Sequence, residues 1–218
     1  MDSQVYAVKS RDNLYIILIL IIFNVLTAFC NRYFLFNDEL YYGSLSGQLS
    51  DGQIANLLTF IKDWEWMGYM ILPVLLIIKF LLVTVCLAVG YYFITSVWNF
   101  RLFLKATLFA EFIFILSAIV KLYWFGWAHT SYSLNELQNF SPLSLSSLIT
   151  LDEADGWLRY PFQVISLFEL AYCTILVIGI RQLLQTSWGQ AARLVVFSYM
   201  PALIVWMVVV MFLSISTT

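Results

Sequence analysis

The sequence predicts an all-α fold: a polytopic membrane helix bundle with five transmembrane helices plus a short amphipathic interfacial helix. Of the 218 residues, 62% are apolar and 11% charged, against about 45–50% and about 25% in average soluble domains. Mean hydropathy is +0.86. Five separate stretches each supply the roughly 20 apolar residues that cross hydrocarbon. No polar stretch is longer than about 35 residues, too short for a further soluble domain, so residues 1–218 read as a single integral membrane domain.

The first span is expected over about residues 14–33, interrupted only by Asn24, Asn31 and Arg32. Lys9, Arg11 and the following run ending in "LTAFC" superficially resemble a lipoprotein signal. A lipobox wants a small residue before the cysteine, and Phe29 stands there. The run also exceeds the roughly 7–15 residues of a signal core, so a retained helix is expected.

Ser50 and Gln53 fit a capping box. Ile54, Leu57, Leu58 and Ile61 then recur at helical spacing, predicting an amphipathic helix over 51–63 that lies on the outer face. It either lids the bundle or docks a partner. Trp64, Trp66 and Tyr69 are its interfacial anchors. The second span, about 66–98, lacks a central turn signal, with Gly90 its only late glycine, and reads as one long or tilted helix. The third covers about 103–127. In the loop that follows, "FSPLSLSSL" places Ser141 as a helix cap and Pro142 at the first helical position. Next comes "DEADG", whose carboxylates lack the alternation of a calcium loop; it reads as a solvated turn.

The fourth and fifth spans, about 162–184 and 194–214, flank "RQLLQTSWGQAAR". A short polar turn makes them antiparallel neighbours, Ser187 caps the returning helix, and Pro201 is expected to kink the last span, as bilayers tolerate.

Lys and Arg set the orientation. Lys9, Arg11, Arg101, Lys105, Arg181 and Arg193 fall at one set of ends, whereas the opposite loops hold Arg32, Lys62 and Arg159 with most of the acids. The expected topology is N-terminus cytoplasmic, C-terminus outside.

Chemistry is sparse. Cys30, Cys86 and Cys173 lie far apart inside apolar runs, with no metal-ligand spacing, and read as small core residues. His129 is the single histidine; paired with Glu136 it could be pictured as an acid and base, yet an interfacial imidazole is ordinarily just solvated. No metal, nucleophile-elbow or phosphate-loop motif occurs. An enzyme and a cofactor are therefore not expected. A net charge of −2 with scattered cations excludes a nucleic-acid surface.

The candidate functional residues are the ionisable groups inside the spans: Lys79, Glu111, Lys121 and Glu169. Each costs several kcal/mol unless paired or wetted, so each is a functional hypothesis. By rise per residue, Lys79, Lys121 and Glu169 fall at similar depth in the outer half, with Glu111 nearer the cytoplasm. The expectation is that Glu169 faces the interior and pairs with Lys79 or Lys121, and that Glu169→Gln lowers yield or assembly. The readings weighed are a register-fixing ion pair, an ion or proton pathway, snorkelling of Lys121, and contact with another subunit.

The last hairpin, "VIGIRQLL" then "QTSWGQ" then "AARLVVFSYMPALIVWMVVV", resembles that of the Yip family at Leu167, Phe168, Gly179, Ser187 and Ala191. Yip proteins are five-helix membrane proteins whose eukaryotic members bind Rab GTPases. "NFRLFLKATLFAEFIFIL" is similar to the family's Phe/Lys-bearing turn and following helix, and "FSPLSL" to a loop segment of its bacterial branch. The resemblance covers about residues 90–214. The eukaryotic "DLYGP" motif is absent, and a long amphipathic loop follows the first helix where the family has a short connection, so Rab binding is not carried over. The resemblance implies a non-enzymatic protein of the bacterial cytoplasmic membrane. The expected role is scaffold or accessory component, with lipid, another membrane protein or a second copy as partner; the alternative is an integral subunit of a transport or secretion complex.

Overall fold

The computed structural model describes residues 10–147 and 156–216. Among these the chain is all-α, with five helices long and apolar enough to cross a membrane. In order they contain α1 (Ser10–Leu35), α3 (Asp51–Thr95), α4 (Phe100–Tyr123), α7 (Leu167–Leu184) and α8 (Trp188–Ser216). Three short helices, α2 (Asp38–Leu45), α5 (Leu134–Asn139) and α6 (Gly156–Val164), gather at one end.

The predicted amphipathic helix and second span are one element: α3 runs unbroken for 45 residues. It starts where expected, with the Gln53 side chain accepting from Ser50 N–H at 2.9 Å. Residues 63–66, Asp-Trp-Glu-Trp, contain no breaker, and continuing the helix satisfies every backbone group at an interface where a turn would expose them. Pro73 lies inside it. At about 1.5 Å per residue α3 is about 68 Å long, twice the roughly 30 Å of hydrocarbon. Its first half therefore stands beyond the layer that its second half crosses.

The fourth span departs from expectation as well. The chain is helical over α6, extended at Ser166 (φ −135°, ψ 161°), then helical again in α7. The break is bonded on both sides: Leu167 N–H donates to the Leu143 carbonyl at 2.9 Å and Leu145 N–H to Ile165 at 3.0 Å. Ser166 caps α7 by accepting from Glu169 N–H. Ser141 and Pro142, predicted to open a helix, instead enter a turn with Leu143 at φ 51°, followed by one 3₁₀ turn at Leu145–Ser147. The reason is the same pairing: residues 143–145 supply backbone partners to the broken helix. "DEADG" lies outside the described residues. α4 ends in a π-helical turn, Trp124–Ala128.

Four apolar clusters form two layers. In the larger bundle cluster, Leu87, Phe103, Tyr172, Leu176 and Val195 join α3, α4, α7 and α8; in the smaller, Leu20 of α1 meets Phe80, Leu108 and Ile115. Two clusters outside the bundle, around Leu35, Phe125 and Leu137 and around Tyr41, Ile54 and Leu58, form a cap. What reads as outer loops in sequence is thus a packed layer. Two helix crossings are tight at glycine. A Cβ on Gly90 would lie 1.7 Å from Ser198 Oγ of α8, and one on Gly179 3.3 Å from the Ala106 methyl of α4.

The closing turn carries the expected Ser187 cap. Gln190 N–H reaches Ser187 Oγ at 3.3 Å, and α8 continues through Pro201 to Ser216. Gln185 takes the left-handed conformation that ends α7.

Candidate functional site: an ion pair and two tyrosines inside the bundle

α4 turns its small residues inward. Ala106, Thr107 and Ala110 are buried, leaving room for the one long polar side chain on that face, Glu111, which is 1% exposed. Lys79 of α3 donates to Glu111 Oε2 at 2.9 Å. The Tyr172 hydroxyl of α7 donates to the other oxygen at 3.2 Å. The lysine ammonium also lies 3.5 Å from the centroid of the Phe114 ring, one turn along α4 from Glu111, as i,i+3 spacing requires. A buried carboxylate thus has a charged donor, a neutral donor and a cation held against an aromatic face.

A second polar contact adjoins the first. Tyr199 of α8 donates to Glu169 Oε1 at 2.5 Å, and its ring packs on Tyr172 with centroids 5.5 Å apart. Glu169 sits in the first turn of α7, where a carboxylate is favoured by the helix dipole. Lys79, Glu111, Tyr172, Tyr199 and Glu169 therefore form one group drawn from α3, α4, α7 and α8.

The pairing differs from the sequence expectation. Glu169 pairs with neither Lys79 nor Lys121; Lys79 belongs to Glu111, and Glu169 has a tyrosine. Depth counted along the helix places backbones but ignores the reach of a lysine, about four methylenes, which brings the Lys79 ammonium to a carboxylate on a neighbouring helix. Lys121 stands apart and donates to the Phe140 carbonyl at 3.3 Å, tying the cap to α4 beside the stacked Trp124 and Phe140 rings. Sequence reading missed Tyr172 and Tyr199. Tyr172 could have been found three residues after Glu169, whereas nothing local marks Tyr199.

The arrangement holds charge in a low-dielectric interior, with the Cys173 side chain packed on the same cluster. Among the described residues no group of three His, Cys, Asp or Glu side chains is placed to hold a metal. His129 faces the Trp124 and Phe125 rings, while Glu136 accepts from Ser133 N–H in a capping box; the two are not a working pair. In the cap, Arg32 meets Glu65 at 3.4 Å and Lys62 meets Asp38 at 2.9 Å. An open cavity of about 450 Å³ lies between Glu39, Ser44, Tyr132 and Glu136. The Tyr132 hydroxyl donates to the Leu35 carbonyl at 3.0 Å, and burial pushes its phenol up from the ordinary value.

Compared with protein families, with curated proteins and with solved structures, the chain has no match.

Proposed function

We propose that this is an integral membrane protein that acts by association, as a scaffold or accessory component, and performs no chemistry of its own. The observation that supports this is the asymmetry of the central ion pair: the Glu111 side chain is 1% exposed, while that of Lys79 is 43% exposed. The pair lies at the lateral edge of the bundle, and the lysine stem and its charge border the face that lipid or another chain must cover. A charged group bordering lipid is costly, and a partner helix laid against α3 there relieves that cost. The same face suits the alternative reading, an integral subunit of a transport or secretion complex.

The five apolar helices are compatible with an integral membrane protein; its assignment to a bacterial cytoplasmic membrane rests on the Yip resemblance. The end bearing Arg101, Lys105, Arg181 and Arg193 is proposed to face the cytoplasm, which puts the cap and the C-terminus outside.

Purification of the tagged chain in mild detergent without crosslinking, followed by mass spectrometry and mass determination of the particle, tests the reading. A stoichiometric companion or a defined homo-oligomer is expected, and an exporter or ATPase as companion would select the complex-subunit alternative. A strictly monomeric particle with no companion would overturn association as the mode of action.

A further inference from the structure

The charges inside the bundle do not balance. Lys79 donates to Glu111 at 2.9 Å, Tyr172 to Glu111 at 3.2 Å and Tyr199 to Glu169 at 2.5 Å, and the two tyrosine rings pack on one another. Two carboxylates in this contiguous group thus face one ammonium. Lys121, the other cation inside the spans, is held at the Phe140 carbonyl. With both acids ionised the group would carry an uncompensated negative charge, the costly case inside a membrane.

Glu169 is the carboxylate short of a partner. Glu111 has the ammonium on one oxygen and a hydroxyl on the other. Glu169 has the Tyr199 hydroxyl; the charges that act on it are Lys79 of α3, already paired, and Glu111 of α4, which repels. Cys173, one turn along α7, completes the titratable groups around it. The N-terminus of α7 favours a carboxylate here, yet the partial charge of a helix end offsets only part of a whole charge taken from water.

The surroundings say what supplies the missing positive charge. Hard metal cations take about six oxygen ligands, whereas Glu169 and Tyr199 bring two oxygen-bearing side chains together, and among the described residues no group of three His, Cys, Asp or Glu is placed to hold a metal. A proton needs no such shell. It also has a way in: Ser166, whose Oγ accepts from Glu169 N–H at 3.2 Å, is the extended residue between α6 and α7 and bridges to Ser144, whose hydroxyl bonds that of Ser146. The broken helix thus brings polar groups from the cap side to within one turn of the carboxyl, as breaks in membrane helices do where ions are bound. From this charge count and this access we infer that the group binds one exchangeable proton, carried on Glu169. The inference goes beyond association and holds with or without a companion.

The test is the infrared spectrum of the full chain at neutral pH in bilayers of ether-linked phosphatidylcholine, whose tails bear no carbonyl. Exposed carboxylates are ionised there, and an interior carboxylic acid gives a separate C=O band. The expected result is one such band that moves to lower frequency in deuterium oxide and is lost in Glu169→Gln. In Lys79→Met its area should about double, because two carboxylates are then left with no cation. Absence of the band from the unaltered chain overturns the inference even if neither variant folds. So does its persistence in folded Glu169→Gln, or an unchanged area in folded Lys79→Met. A band indifferent to deuterium oxide would mean a proton that does not exchange and equally overturn it. A band seen only when choline replaces sodium would assign the missing charge to a metal cation, with the same consequence.

Discussion

Glu111 and Lys79 illustrate why the two halves of a buried pair are unequal. Removing the lysine leaves a carboxylate that is 1% exposed with only a tyrosine as donor, whereas Glu111→Gln keeps an amide oxygen as acceptor for Lys79 and Tyr172 and leaves the ammonium against the Phe114 ring. Lys79→Met should therefore destabilise by about 3 kcal/mol or more, and Glu111→Gln by less. The double variant Lys79→Met/Glu111→Gln removes both charges and should recover much of the loss, giving a favourable coupling energy. Thermal unfolding in one detergent measures all four forms, and additive losses would mean that the pair is not coupled. Glu169→Gln keeps an oxygen acceptor for Tyr199, so it should cost less than Lys79→Met, contrary to the weight that sequence reading gives Glu169. The sequence marks all four intramembrane charges because hydrocarbon makes each conspicuous. It does not mark their partners, because partnership depends on which helix faces which and on side-chain reach, neither of which has a signature along one strand of text.

Among elements, the long and broken helices are the instructive cases. The start of α3 is legible at Ser50 and Gln53, and its amphipathic first half at Ile54 and Leu58, both of which are buried. Its continuity is not legible, because a change from amphipathic to wholly apolar patterning looks like a boundary even where the backbone has no reason to turn. The break at Ser166 is hidden for the converse reason: apolar patterning continues across it, and what stabilises it is backbone pairing with Leu143 and Leu145, residues more than 20 positions away. Two element-scale outcomes are expected. Gly90→Ala would drive a methyl into Ser198, since even Ser198 Cβ lies 2.7 Å from the added atom, and should cost about 1–3 kcal/mol. Gln185→Gly, at φ 51°, should instead stabilise by up to about 1 kcal/mol, because glycine relieves the left-handed penalty. Melting temperatures of the two variants should move in opposite directions.

At the scale of the whole molecule, five candidate spans place the two ends of the bundle on opposite sides of a membrane. Ser187 and Gly47 are both exposed and belong to opposite ends. With Cys30, Cys86 and Cys173 replaced, Ser187→Cys should react with an impermeant thiol reagent only from the cytoplasmic side and Gly47→Cys only from the other. Reaction of both from one side would require an even number of spans between them and would refute the topology. The cap and the membrane bundle are joined by α3, which enters both with no loop between. α1 does the same, with Leu20 in the bundle and Leu35 in the cap, so a force applied to the cap through Ile54 or Lys62 is shared between two continuous beams, of which α3 carries Lys79 and Gly90 on its far arm. The Lys79–Glu111 contact and the tight Gly90–Ser198 crossing are the bearings against which that beam would turn, so a load on one surface of the membrane is mechanically felt in its interior.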